Sequence, residues 1–399
     1  MTGAAATAEY TGGSFAPFAP AADWASIVGT LTGAVVDAYG LTIVGESRDL
    51  GGTFKRNLLI SAARPGSSNR SAYVAHVHRP FVTGPRIAYV HRAVHVLAGR
   101  GVPVSQPLAT RSGDTFVVVA GHLIDLDPYV PNEGLTDTWP RFFTAAQLLG
   151  QIHGILGTAG LGPPVPPVVR LYGTPAELLA WVDETEDAVR AQQATGRRAP
   201  VQDADRALAL CDRGRATIEA LDGWWKAEGV SLPRCPTHGD YGTSNVLFRG
   251  DEAVAVIDWD LLDERERTYD LARAFRWTLR RAEPGLLARA SDAADDAPER
   301  ALAELVARLR TAIAAYDAGS TQPLTPAECA ALPVQMARVP LYDLAEVGRY
   351  VSPHVAGPVQ AVLRLSTGIE RAAWLVEQRD RLASLVNVVG ADEPFGAAP

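Results

Sequence analysis

The chain has 399 residues, 47% apolar and 21% charged, with a net charge of −8, which is ordinary for a soluble globular protein of one two-lobed enzyme or two to three domains. The negative balance argues against a nucleic-acid partner, because phosphate contacts need clustered Lys and Arg; it would suit a cationic substrate, but mild acidity is also the common solubility default and that reading weighs more. No run of about 18 apolar residues exists, so no membrane partner is expected, and Cys211, Cys235 and Cys329 lack CxxC or Cys/His spacing, which indicates neither a disulfide framework nor a zinc site and fits a reduced, cytoplasmic setting.

Residues 1–22 are rich in Ala, Gly, Thr and Pro and read as a loose tail; they hold no basic leader and no long apolar core, so no signal peptide is expected. Trp24 to Tyr39 has helical spacing (Trp24, Ile27, Val28, Leu31, Val35). Short strands follow: Leu41–Val44, Asn57–Ser61 after a turn at Gly51-Gly52, and Ala72–His78 after the turn-rich Pro65–Asn69. Pro85 opens a helix to about Gly99. Thr115–Ala120 and Leu123–Leu126 form a hairpin around Gly121-His122. Asp127-Pro128-Tyr129-Val130-Pro131-Asn132 reads as an extended linker.

Beyond the linker the pattern is helical. Phe142, Ala146, Leu149, Ile152 and Leu156 share a helix face, and Leu178–Gln192, Asp203–Trp225, Thr268–Arg281, Ala301–Asp317, Pro326–Gly348 and Val359–Val386 complete the set. Asp292–Glu299 is an acidic loop or helix start and is expected to be solvated. Trp224, Trp225 and Trp259 are expected to pack a core. The expected fold is therefore α+β and bilobal: a tail at 1–22, a small β-rich N-lobe at 23–127 and a large, mainly helical C-lobe at 128–399. That is a kinase-like order of parts. A nucleotide would lie in the cleft with its base against the linker, where Asp127 and Tyr129 sit, and its phosphates toward the C-lobe.

Two motifs interrupt the helices. One is Thr237-His238-Gly239-Asp240-Tyr241-Gly242-Thr243-Ser244-Asn245-Val246-Leu247-Phe248; the other is Val256-Ile257-Asp258-Trp259-Asp260. Asp240, Asn245 and Asp258 suit a Mg²⁺-dependent phosphoryl transfer site, in which one acid takes the acceptor proton while the amide and the other acid hold metal. Asp260 lies on the same face as Asp258 of an extended strand and reads as a solvated or loop-bonded acid.

With these motifs the chain resembles the aminoglycoside phosphotransferase family, a branch of the protein-kinase-like fold that also holds choline and homoserine kinase-type enzymes. His238-Gly239-Asp240 with Asn245-Val246-Leu247 looks like its catalytic loop, Val256-Ile257-Asp258-Trp259 like its metal-binding strand, and Tyr269-Asp270-Leu271-Ala272 like the helix start that braces the loop. Gly51-Gly52, Gly101-Val102-Pro103-Val104 and Leu149-Gly150-Gln151-Ile152-His153 are weaker echoes. The resemblance implies Asp240 as catalytic base, Asn245 and Asp258 as Mg²⁺ ligands, His238 as scaffold and Asp270 as acceptor of loop N–H groups. It implies ATP or GTP as donor and a small-molecule hydroxyl (antibiotic, sugar, nucleoside or amino alcohol) as acceptor. A peptide Ser/Thr kinase working with a partner lyase, and a nucleotide-binding pseudokinase, are the alternatives.

The N-lobe departs from the family pattern. The basic residue expected on the third strand falls on His76, or on His78 after a two-residue shift, with Arg79 next door. The 85–99 helix has no Glu; Val90 stands where one is expected, beside His91 and Arg92. Three readings stay open: His76 or Arg79 grips phosphate, Lys55 reaches over the phosphates from the Gly51-Gly52 turn, or the site is non-catalytic. Only Lys55 and Lys226 are lysines. By default Lys55 would be a surface lysine and Gly51-Gly52 a plain turn.

Overall fold

The computed structural model describes residues 33–387 apart from 52–54, 65–68, 80–81, 120, 135, 168–172, 195–200, 243, 292–296 and 349–356. The tail, the first part of the Trp24–Tyr39 helix, Gly52, most of the 65–69 turn and most of the Asp292–Glu299 acidic stretch lie outside those residues.

Helix α1 (33–39) precedes a six-stranded antiparallel sheet. Its strands are β1 (Thr42–Ile43), β2 (Arg48–Gly51), β3 (Lys55–Ala63), β4 (Arg70–His78), β5 (Val117–Val119) and β6 (His122–Pro128), in the order β1-β3-β4-β6-β5 with β2 also on β3. Between β4 and β5 runs α2 (Gly84–Gly99), capped by Thr83 with Pro85 in its first turn. The pleat decides what each side chain does, because neighbours alternate between faces. Leu58, Ile60 and Ala62 of β3, Ala75 and Val77 of β4, and Ile124 and Leu126 of β6 form one core with Val35 and Tyr39 of α1. The alternate positions line the other face. The register pairs Lys55 with His78, Asn57 with His76, His76 with Asp125, and Val74 with Asp127. A polar set scattered over 73 residues of sequence is thereby brought onto one surface.

The rest is mainly helical: α3 (Trp139–Leu156), α4 (Pro175–Ala194), α5 (Val201–Ala227), α6 (Thr268–Ala282), α7 (Leu286–Ser291), α8 (Ala297–Gly319), α9 (Pro326–Glu346), α10 (Pro358–Arg364), α11 (Ser366–Glu377) and α12 (Arg379–Asn387). The single helix expected over Val359–Val386 is three. Helix α9, buried along most of its length despite Pro333 and Pro340, is the axis against which α4, α6, α11 and α12 pack. Helices α3 and α8 cross closely at two glycines: a Cβ on Gly150 would strike the Tyr316 carbonyl, and one on Gly319 the Gln147 carbonyl. Four short strands sit among the helices: β7 (Arg234–Thr237) pairs with β10 (Asp263–Glu266), and β8 (Val246–Arg249) with β9 (Glu252–Val256). The architecture is α+β and bilobal.

Two ties hold sheet and helices in register at the cleft. The Arg86 guanidinium on α2 donates to the carbonyls of Asp260 and Leu262, both at 2.7 Å, and to that of Val165. The Val256 N–H donates to the Pro103 carbonyl at 2.7 Å. Among the described residues no helix is long and apolar enough to cross a membrane, and the three cysteines are free.

Candidate active site

The loop after β7 is built around buried donors that need an acceptor. Asp270, fully buried in the first turn of α6, accepts the His238 N–H at 2.7 Å and the Gly239 N–H at 3.0 Å. His153 Nε2 lies 3.3 Å from the same carboxylate, and the Tyr316 hydroxyl completes His153 at 2.9 Å. Asp270 stays ionised below the usual carboxylate range: burial opposes its charge, but His153 outweighs it. Gly239 has φ +83°, and a Cβ there would collide with the Leu261 carbonyl and approach Arg265 Nη1 to 2.5 Å, so only glycine fits. The His238 Nδ1 accepts the Asp240 N–H at 3.2 Å while its Nε2 donates to the Ile257 carbonyl at 2.9 Å. That is the neutral tautomer with both nitrogens occupied, a strut between the two motifs. Asp270→Ala should strand two buried amides at about 1–3 kcal/mol each. Urea unfolding should therefore report a loss of about 2–6 kcal/mol, with Asp270→Asn losing less because its amide oxygen still accepts; an unchanged midpoint in Asp270→Ala would remove the bracing role.

Asp240 is held from both sides. Its Oδ1 accepts from Arg273 Nε at 2.8 Å and Nη2 at 2.5 Å, and its Oδ2 from Asn245 Nδ2 at 3.1 Å. Arg273, only 7% exposed, lies three residues after Asp270 on α6. Burial opposes its charge, but Asp240 raises it above the ordinary arginine range. Asn245 also donates to the Asp240 carbonyl at 2.9 Å. Its N–H groups are thus directed to Asp240, and its amide oxygen has no protein partner among the described residues. Its own carbonyl accepts the Ile257 N–H at 2.9 Å, which ties it to the Asp258 segment. An amide oxygen and the 43%-exposed carboxylate of Asp258 are hard oxygen donors of the kind Mg²⁺ takes, so the residues present fit that ion.

Asp258 does not sit on an extended strand. Strand β9 stops at Val256, Asp258 adopts φ +64°, and Trp259–Leu261 is a 3-10 turn. This conformation is uncommon for a non-glycine residue and turns the carboxylate out of the ladder. Asp260 is therefore not on a shared strand face, and its carboxylate, 28% exposed, is ion-paired rather than free in solvent. Lys55 Nζ bridges the two, 3.1 Å from Asp258 Oδ1 and 3.2 Å from Asp260 Oδ1. Lys55 is the first residue of β3, not a turn residue, and is 8% exposed rather than on the surface. Burial opposes its ammonium; Asp258 and Asp260 outweigh it and hold it above the ordinary lysine range.

A cavity of about 280 Å³ opens beside this cluster, lined by Lys55, Asn57, His76, Asp127, Tyr129 and Asp258, with Leu50, Val74, Leu247 and Ile257 as apolar walls. Gly51, with φ +79°, ends β2 at its rim and accepts from Asn57 Nδ2 at 3.1 Å. Strand β6 runs through Pro128, so Asp127 is a strand residue, not the start of the linker; the Tyr129 N–H still pairs with the Ala72 carbonyl at 2.9 Å. Asp127 Oδ1 is buried without a hydrogen-bond partner. His76 Nδ1 faces Asn57 Oδ1 at 2.7 Å and its Nε2 faces Asp127 Oδ2 at 3.6 Å. Asn57 Oδ1 calls for an N–H at Nδ1, and the Asp127 carboxylate beyond Nε2 favours the charged ring. Accordingly, although burial and Lys55 oppose the charge, Asp127 and Asp125 raise His76 above 6.5. Because the folded value is the higher one, this charge stabilises the fold fully below pH 6.5 and the contribution is lost as pH rises through the folded value. An NMR titration should find the His76 ring titrating above 6.5, and His76→Gln should remove that resonance and the associated slope in stability.

Arg79 follows the end of β4 and does not line the cavity. His78 is not available to a ligand either: its Nε2 lies 2.5 Å from Asp125 Oδ1, and His91 of α2 contacts the other oxygen at 3.7 Å. Burial opposes the Asp125 charge, but His78 outweighs it and holds the carboxyl well below its usual range. Val90 of α2, where an acid is expected, is in the core, and the acid facing His78 and His91 is Asp125 of β6. Sequence reasoning missed Arg273, Asp125 and Arg86. The i, i+3 spacing of Asp270 and Arg273 is the signal that places Arg273 against the same loop.

A sequence model of the phosphotransferase enzyme family matches residues 58–318. A homoserine kinase of Rhodopseudomonas palustris (strain BisA53) is 27% identical over 205 residues, 51% of this chain and 56% of that protein, so the chain spans about half the length of this curated relative. Among solved structures, a microcompartment-associated aminopropanol kinase superposes with a TM-score of 0.58 at 16% identity over 89% of this chain and 98% of its own. An amicoumacin kinase solved with AMP-PNP and Ca²⁺ gives 0.51 at 12% identity over 89% and 92%. These two likenesses are of fold, and the fold is protein-kinase-like.

Proposed function

The chain belongs to the phosphotransferase enzyme family, and from that premise we propose that it moves the terminal phosphoryl group of ATP or GTP to a hydroxyl of a small molecule. The observation that carries this reading is Asp240, fixed by Arg273 and Asn245 beside a metal-suited oxygen pair, with a buried ammonium closing the same cavity.

In this reading the base lies between Leu50 and Val74 above and Leu247 and Ile257 below, and Asp127 Oδ1 accepts a nucleoside N–H or O–H. Lys55 meets the phosphates as a point charge, with the His76 imidazolium behind it. Mg²⁺ on Asn245 and Asp258 would neutralise charge on the transferring phosphates. Asp240 orients the acceptor through Oδ2, since Oδ1 is taken by Arg273. As the bond from the acceptor oxygen to phosphorus forms and the bond to the nucleoside diphosphate breaks, the hydroxyl proton passes to Asp240. Lys55, on β3, supplies the cation missing at the His76 position of β4, which favours a working enzyme over a binding-only relative.

The test is nucleoside diphosphate release against a panel of hydroxylated metabolites, with thermal-shift titration of Mg-ATP and Mg-GTP. Turnover that EDTA abolishes and Mg²⁺ restores supports the reading. Absence of Mg²⁺-dependent nucleotide binding sinks it.

A further inference from the structure

The α6 face that carries Arg273 continues beyond the catalytic loop. Arg276 and Arg280 follow at three and seven residues, on the same helical stripe. Trp277 lies between them: a Cβ on Gly242, two residues past Asp240, would sit 3.6 Å from its Cδ1, and the Arg280 guanidinium lies 5.2 Å from the centre of its ring. Helix α11 closes the other side. A Cβ on Gly368 would come 3.5 Å from Arg276 Nη2, and Arg371 follows about one turn on.

Buried arginines elsewhere in this chain have partners: Arg273 on Asp240, Arg267 on Glu328, Arg338 on Glu266, and Arg86 on three backbone carbonyls. Arg276, Arg280 and Arg371 have neither an ion-pair nor a hydrogen-bond partner among the described residues. Arg276 and Arg371 are half-buried. Burial first, and then the positive charges of Arg280, Arg273 and Arg371 against the opposing Asp343, push the Arg276 guanidinium down to about 10. The acid facing this group is Asp343 of α9, which burial raises above the usual carboxylate range. With Arg273 already balanced by Asp240, one such acid against the three guanidiniums of Arg276, Arg280 and Arg371, in a chain of net charge −8, is an unfavourable arrangement that an anion would relieve. Guanidinium forks match the oxygen pairs of carboxylates and phosphates.

We propose that this arginine face is the acceptor subsite for an anionic group, so that the acceptor is a hydroxylated carboxylate or phosphate whose hydroxyl reaches Asp240 and whose anion meets Arg276, Arg280 and Arg371. The inference rests on Asp240 being the acid that faces the acceptor in the phosphotransfer reading. It selects against cationic amino alcohols.

Calorimetric titration in the presence of AMP-PNP and Mg²⁺ tests it, with D-glycerate and glycerol 3-phosphate each set against glycerol, their neutral counterpart. An anion should bind at least about tenfold more tightly than its counterpart. The double variant R276Q/R280Q should lose about tenfold or more, with Arg276→Lys retaining part. The carboxylate and phosphate arms separate the two sources of charge. Equal binding of neutral counterparts, unchanged binding in the double variant, or no binding by any anion overturns the subsite. Phosphorylation is read separately with ATP: an anion that binds in this way without being phosphorylated counts against phosphotransfer, not against the subsite.

Discussion

Asp240→Asn is expected to lower kcat by about 10²–10⁴-fold, the range for removing a positioned general base, while the nucleotide KM changes little. The amide keeps the shape of the carboxylate but has a single oxygen, which can accept from Asn245 or from Arg273 and not from both. It cannot take the proton that leaves the acceptor hydroxyl. It also removes the negative partner of Arg273, whose Nε and Nη2 both point at Oδ1. The loop should survive, because its anchors are Asp270 to the amides of His238 and Gly239 and the Tyr241 hydroxyl to the Ala145 carbonyl at 2.8 Å. Asp240 itself is 29% exposed in its side chain, so its contribution to stability is discounted by solvent. Diphosphate release by a coupled assay, with circular dichroism and Mg-nucleotide titration as controls for the fold, reads the effect. A kcat within about tenfold of the parent would remove Asp240 from the role of base.

The helical half of the molecule was legible because its signals are local. Periodic apolar residues marked α3, α5 and α9, and the His-Gly-Asp and Ile-Asp-Trp segments each place their chemistry within a few residues of a strand end. The other half of the site is assembled by pairing rather than by neighbours. Lys55, Asn57, His76, Asp125 and Asp127 converge only because three antiparallel strands align their alternate positions. A shift of one residue in any of those registers would send the shifted strand's members of the set into the opposite core. No short window of sequence contains that information. The same reason explains why Lys55 read as a surface lysine: its partners Asp258 and Asp260 lie some two hundred residues away. Asp258 misled for a different reason. Alternation continued through Ile257 suggests a strand, but the left-handed backbone at Asp258 is an exception to residue preference, and such exceptions collect at functional sites. Arg273 was legible in part, through its helical spacing from Asp270, whereas the lack of an ion-pair partner for Arg276, Arg280 and Arg371 among the described residues is a property of the packed helices alone.

Lys55→Ala should raise the nucleotide KM by about 10–100-fold, the value of one to two charge-assisted contacts, and lower kcat as well. Two effects act in the same direction. The phosphates lose their buried cation, and Asp258 and Asp260 are left as unbalanced negative charge facing the phosphates. Lys226 cannot substitute, since it is exposed and paired with Asp222 at 2.6 Å. Stability should change little, because Asp258 and Asp260 remain 43% and 28% exposed in their side chains and water screens them. The competing candidate is His76, and pH separates the two. The Lys55 ammonium is held above its ordinary 10.5, so its charge is complete throughout the neutral range and a site gripped by Lys55 keeps a flat nucleotide KM there. The His76 charge, raised above 6.5, is lost as pH rises through that higher value, so a site gripped by His76 weakens toward alkaline pH. The expected pattern is a flat profile in the parent, a large effect in Lys55→Ala, partial recovery in Lys55→Arg and a smaller effect in His76→Gln. A Lys55→Ala nucleotide KM within about twofold of the parent, together with a KM that climbs with pH and flattens in His76→Gln, would transfer the phosphate grip from β3 to β4.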